Sequence, residues 1–180
     1  MKNLILIILP LIITFNQNNK FDRKSTEDLK NNSIQEFKLD SSDYVLIKFE
    51  PKYEWIVGKG RATDLNNSEL LQIEDILEKA VEENNKRQKT YLKKHNEENP
   101  KDKWNKTGYE LNLKKFKRQY LPIINDKGEK VIWINFFCKD ENPIPKDRII
   151  MMLDGGNCFF NIKINLTKNT YYDLQINGYA

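Results

Sequence analysis

The chain has a single histidine, His95, and only two cysteines, Cys138 and Cys158, among its 180 residues. That scarcity removes whole classes of chemistry. Ser–His–Asp and Cys–His arrangements need a histidine beside the nucleophile, whereas His95 sits in a run of charged residues. A structural zinc site needs clustered Cys and His ligands. Two cysteines and one remote histidine fall short, so no catalytic residue, metal ligand or cofactor is assigned. Arginine is scarce too, at five of the thirty bases, and the net charge is only +4. Between Lys86 and Arg118 there are twelve Lys/Arg against four Asp/Glu, with Tyr91, Trp104, Tyr109 and Phe116 interspersed. A groove for nucleic acid would look similar, but the acids are mixed in and a solvated helix end explains the bases. No nucleic-acid partner is expected.

Nor is any apolar run long enough to span a bilayer comfortably. Met1-Lys2 ahead of the twelve-residue run Leu4 to Phe15 has the order of a secretory signal instead. Residues 1–15 are therefore expected to be a signal segment, through which alone the chain touches a membrane, transiently. No Cys ends the run, so lipid attachment is not supported. Residues 16–43 are polar and aperiodic and read as a flexible tether. Residues 44–180 are enough for one domain with a core of its own. The expected destination is outside the cytoplasm of a bacterium, in the periplasm, at the cell surface or secreted.

What is present is pattern. From Arg148 to Ala180 the chain reads as three antiparallel strands and two turns. Cys158, Phe160, Ile162, Ile164 and Leu166 alternate with mostly polar neighbours, the signature of a half-buried strand. Tyr172, Leu174 and Ile176 repeat the pattern. A three-residue loop, Thr167-Lys168-Asn169, keeps these two faces matched and sets Ile164 opposite Tyr172. Asp154-Gly155-Gly156-Asn157 is the other turn, pairing the Cys158 strand with Ile149, Met151 and Leu153. A phosphate cradle is the rival reading of that glycine pair, but such loops lead into a helix.

One long helix is predicted from Asn66 to about His95. Asn66 and Glu69 have capping-box spacing, with Leu65 and Leu70 as a hydrophobic staple. Leu70, Ile73, Ile76, Leu77, Ala80 and Val81 form its apolar stripe. The remaining strands are Tyr44–Glu50, with Tyr53–Val57 as an extension, then Phe116–Ile124, which Pro122 confines to an edge or bulge, and Val131–Cys138. No carboxylate falls at a position that the patterning buries, unless Asp154 is shielded. An even cysteine count in an exported chain suggests a disulfide. A sequential meander, however, sets Cys138 and Cys158 at opposite ends of a strand, roughly 15–20 Å apart at about 3.3 Å per residue, beyond the reach of a bridge.

Arg118-Gln119-Tyr120, Gly128, Trp133, Cys138, Asp154-Gly155-Gly156-Asn157, Phe160-Asn161, Asn165-Leu166 and the ending Asn177-Gly178-x-Ala180 resemble a group of small exported bacterial proteins of unknown function. The element order is similar to the cystatin-like arrangement, an α+β fold with one long helix packed on a twisted antiparallel sheet of about five strands. The cystatin inhibitory hairpin motif is missing, so that activity does not transfer. The runner-up is the nuclear-transport-factor-like cone, with a pocket between helix and sheet. The functional expectation is a non-enzymatic binding module with a protein partner; the alternative is a small-molecule-binding or catalytic cone. The pairing above gathers Ile150, Met152 and Phe159, with Trp133 or one of Phe136 and Phe137, on the face away from the helix. Either the Asn96–Gly108 loop covers this cluster through Trp104, or a partner docks on it.

Overall fold

A computed structural model describes residues 40, 42–138 and 143–179 of the chain. The expected signal segment and most of the expected tether lie outside the described residues. No described helix is long and apolar enough to cross a membrane. The fold is α+β, one long helix on one face of a six-stranded mixed sheet.

The helix, α2 (Asn67–Glu98), starts where the capping signal places it. Glu69 N donates to Asn66 Oδ1 at 2.9 Å, and Asn66 N donates to Glu69 Oε2 at 3.0 Å, satisfying two of the free N–H groups of a helix start. Leu65 and Leu70 both pack on the core below. The helix runs three residues past His95, because the Asn99 backbone and side chain both donate to the His95 carbonyl.

The sheet runs β1 (Tyr44–Leu46), β3 (Lys117–Asn125), β4 (Lys130–Phe137), β5 (Phe159–Asn165) and β6 (Thr170–Ile176), with β2 (Gly60–Ala62) also on β3. β1 is parallel to the first half of β3 and β2 antiparallel to its second half. Arg118 N and Tyr120 O bond toward β1. Two residues on, Pro122 turns its donor-less nitrogen to the same side, in the gap between β1 and β2, where no ladder bond is lost. The expected strand extension at Tyr53–Val57 is instead a 3₁₀ turn, Pro51–Tyr53, followed by the short helix α1 (Glu54–Val57). Pro51 takes the first helical position, where a missing N–H costs nothing.

Two apolar layers result. Between α2 and the sheet lie Ile73, Leu77, Tyr120, Ile132, Ile134, Phe136, Phe160 and Ile164, all almost fully buried. On the other face, Val45, Ile47, Tyr53, Ile56, Leu121, Trp133, Phe137, Ile144 and Phe159 form a second core. Adjacent strand residues thus divide between the layers, Phe160 inward and Phe159 outward, as pleating requires.

Three expectations are corrected. Residues 149–153 form no strand; the Ile150 N–H and carbonyl bond to the Gln119 and Asn135 side chains of the sheet, and the Met152 carbonyl to Asn177, rather than to a neighbouring strand. β5 therefore pairs directly with β4, Phe137 opposite Phe159. That places Cys138 beside Cys158, and the two are joined in a disulfide with Cα atoms 5.0 Å apart. The β5–β6 loop has four residues, since Asn165 pairs with Thr170 and Ile164 with Tyr171. A bulge at Asp173, whose φ is 51°, then restores the face match. Tyr171, Leu174 and Ile176 consequently face the core, and Tyr172 turns outward over Lys163.

Glu129 ties the two hairpin turns together. It pairs with Lys168 at 2.6 Å and accepts from Asn125 Nδ2 at 3.2 Å and Asn165 Nδ2 at 2.9 Å. Lys168 first, then the two amides, hold its carboxyl down at about 2. A depressed carboxyl adds stability above its unfolded value, about 4.3, and that stability is lost as pH falls toward the folded one. Wild type should therefore lose stability more steeply than Glu129→Gln between about pH 4.3 and 2, read as urea midpoints against pH. For the disulfide, with a sequence separation of 20, replacing both cysteines by Ser should cost about 3 kcal/mol by loop-closure entropy. Alkylation of unreduced, unfolded protein should label neither thiol.

Candidate functional site

The four residues singled out as a partner surface do come together, and the chain itself covers most of them. Trp133 and Phe159 are 4% and 5% exposed, while Ile150 and Met152 are half-buried against them. Phe137, not Phe136, completes the cluster. The cover comes from Tyr53, Ile56 and Ile144. Trp104 is elsewhere, stacked on His95 with ring centroids 3.6 Å apart.

Two buried amides do the holding on this face. Gln119 Nε2 donates to the Pro145 and Arg148 carbonyls, both at 2.9 Å, and Gln119 Oε1 accepts from Ile150 N at 2.9 Å. Asn135 Nδ2 donates to the Ile150 carbonyl at 2.7 Å. These side chains satisfy a backbone that joins no ladder, which buried peptide groups require. Their signal in the sequence was two polar residues inside otherwise apolar strands.

The Asp154–Asn157 turn and the chain's end form a clasp. Gly155 and Gly156 have φ of 90° and 59°, where only glycine is unstrained. They lead into a 3₁₀ turn, Gly156–Cys158. Gly156 N donates to the Gly178 carbonyl at 2.9 Å, and a Cβ on Gly156 would meet the Tyr179 ring at 2.1 Å. Asn177 Nδ2 donates to the Met152 and Asp154 carbonyls, and Tyr179 Oη to the Gly108 carbonyl at 2.8 Å. Asp154 itself is exposed. The geometry is that of a structural latch.

A buried ionic cluster lies on the helix side, which corrects the expectation that no carboxylate is buried. Glu74 and Arg118 are 5% and 1% exposed and share a charge-assisted hydrogen bond. Tyr120 Oη donates to Glu74 Oε1 at 3.2 Å and accepts from Arg118 Nη1 at 3.1 Å. Arg118 also donates to the Leu113 carbonyl at 3.3 Å and lies over the Phe136 ring. Glu74 Oε2 and Arg118 Nε have no partner among the described residues. Burial pushes the Glu74 carboxyl above its ordinary value, with the Arg118 guanidinium acting against it. The trio is enclosed by the core, so it joins α2 to β3 and is not placed to meet a substrate. Glu74 lies on the ridge Leu70–Glu74–Leu77–Val81, and that spacing was the available clue.

His95 is likewise occupied locally. Its ring contacts the Asp102 carbonyl at 3.2 Å and the Asn99 amide at 3.4 Å, and it carries Trp104. Among the described residues no three His, Cys, Asp or Glu gather as a metal site.

An open groove of about 600 Å³ runs between α2 and β6, lined by Asp75, Ile76, Lys79, Glu83, Thr170 and Tyr171. Tyr171 Oη donates to Glu83 across it. Further along the same helix, Lys86, Arg87, Thr90, Tyr91 and Lys94 line a shallower depression of about 410 Å³.

Comparisons with protein-family models, with characterised proteins and with solved structures find no match to this chain.

Removing one partner of a buried ion pair leaves the other charge uncompensated, at a cost of about 3–5 kcal/mol. Glu74→Ala should lose that much in urea unfolding, and the double variant Glu74→Leu/Arg118→Met should recover most of it. In Gly156→Ala the left-handed φ and the Tyr179 overlap should together cost at least about 2 kcal/mol, with Tyr179→Ala in the same background relieving part.

Proposed function

We propose that the chain is an exported, non-enzymatic binding module that recognises another protein. The observation that carries this reading is the packing between α2 and the sheet. Ile73, Leu77 and Ala80 of the helix meet Ile132, Ile134 and Phe136 of the sheet, all at 0% exposure, and Phe136 stacks on Phe160 with centroids 4.1 Å apart. A cone that binds or transforms a small molecule keeps that space open and lines it with a few convergent polar groups. Here large apolar side chains occupy it, and Glu74, Arg118 and Tyr120 are spent on one another. The concavities described instead lie along the outside of α2, where a macromolecule can reach them.

Export rests on the order of residues 1–15 and is supported by the Cys138–Cys158 bond, since structural disulfides persist in oxidising compartments. Cells expressing the full chain should release it from the cytoplasm; recovery in the cytoplasm with an intact N-terminus would overturn export. Native mass spectrometry of the purified chain should give the polypeptide mass less two hydrogens. A stoichiometric small-molecule adduct would replace this reading with the pocket-bearing cone.

A further inference from the structure

β6 is the last strand of the sheet, and one of its edges is unpaired among the described residues. Leu166 N bonds toward β4, to the Lys130 carbonyl. Alternation along β5 therefore turns Asn161, Lys163 and Asn165 toward β6, and their partners Gln175, Tyr172 and Thr170 make the ladder bonds. The N–H and C=O groups of Tyr171, Leu174 and Ile176 point the other way, out of the sheet. Apart from the Tyr171 carbonyl, which accepts from Thr170 Oγ1 at 3.5 Å, they have no strand partner among the described residues, and such a row is a template for another strand.

The edge is flanked by the open side of α2. Asp75, Lys79, Glu83, Arg87, Thr90 and Lys94 follow one another at steps of three or four residues, so they form one flank of the helix. The two depressions described above follow one another along that flank, the first reaching Glu83, where Tyr171 bonds, and the second starting at Lys86 and Arg87, one turn on. From Asp75 to Lys94 the flank is about 29 Å long at 1.5 Å per residue, room for roughly eight or nine residues of extended chain.

Charge decides what fits. The first part of the flank is net acidic, with one base, Lys79, between two acids, Asp75 and Glu83. The far part carries Lys86, Arg87 and Lys94 around exposed Tyr91. Among the described residues Lys94 pairs with Glu98 alone, at 3.8 Å, with both side chains largely in solvent. The bulge at Asp173 interrupts the edge and so disfavours flat pairing with a second copy. It leaves Tyr171 on one side and Leu174 and Ile176 on the other as anchoring points for a short segment.

We infer that the groove between α2 and β6 binds a short extended peptide as an added strand on β6, with acidic residues at the end that lies over Lys86, Arg87 and Lys94. Main-chain hydrogen bonds to Tyr171, Leu174 and Ile176 hold it, and the cationic end sets which sequence is accepted. This rests on the reading of the chain as a protein-binding module and names the class of segment it takes.

The test selects displayed nine-residue peptides on the full chain, then titrates the winners as synthetic peptides into isotope-labelled protein. The selected sequences should alternate apolar and polar residues and carry Asp or Glu at one end. Binding should slow hydrogen exchange at the amides of Tyr171, Leu174 and Ile176. Lys86→Glu/Arg87→Glu should weaken the acidic peptide roughly tenfold or more, keep the melting temperature, and accept the Lys-substituted peptide instead. Binding without protection of those three amides would overturn the added strand. So would indifference to the charge swap, or failure of every selected peptide to bind. Capture by phosphatidylglycerol vesicles through Lys86 and Arg87, with no peptide binding, would overturn it in favour of a lipid surface. None of these outcomes touches the non-enzymatic reading, which stands or falls on the bound small molecule sought by mass spectrometry.

Discussion

The contact on which the arrangement depends is the buried pair of Glu74 and Arg118. An ion pair taken out of water tolerates little displacement, because its Coulomb attraction must offset the desolvation of both charges. With Tyr120 completing the cluster, Glu74 sets the height and rotation of α2 above β3. Apolar packing alone is less particular about register, since many slid arrangements bury similar area. From that anchor, the stripe from Ile73 to Ala80 falls on Ile132, Ile134 and Phe136. The helix flank that stays uncovered is then the one beside β6.

The outer face is held by different means. A long connection between β4 and β5 is laid across the sheet, and its backbone is satisfied by Gln119 and Asn135 rather than by a strand partner. The disulfide closes the loop at its base, and the clasp of Asn177, Gly178 and Tyr179 on the glycine pair secures its far end. Three tethers thus replace one ladder. The loop keeps a sequence that looks like a strand while serving as a lid on Trp133 and Phe159.

With both apolar layers covered by the chain itself, the groups left for contact lie on the perimeter. One unpaired strand edge and a run of bases meet along the same side, at β6 and the second half of α2.

Local physics made much of this legible in the chain alone. The capping box at Asn66 and Glu69, the stripe of α2, the alternation from Phe160 to Leu166 and the need for glycine at 155 and 156 depend on neighbours within a few residues, so they could be read directly. The partners of 149–153 could not. Its alternation fits a strand equally well, and only Gln119 and Asn135, some thirty and fifteen residues earlier, decide that it lies across the sheet. That choice also brought Cys138 to Cys158. The β5–β6 offset was hidden for a related reason: the bulge at Asp173 lets a four-residue loop and a matched face coexist, which strict period-two reasoning forbids. Glu74 looked like one more surface acid until Arg118 arrived beneath it. The sequence by itself determined α2 with its apolar stripe and the existence of β3 to β6, because capping and periodicity act within a few residues. The tertiary structure decided the strand order, the disulfide and the open edge, because each depends on which distant groups satisfy a buried or unpaired polar atom.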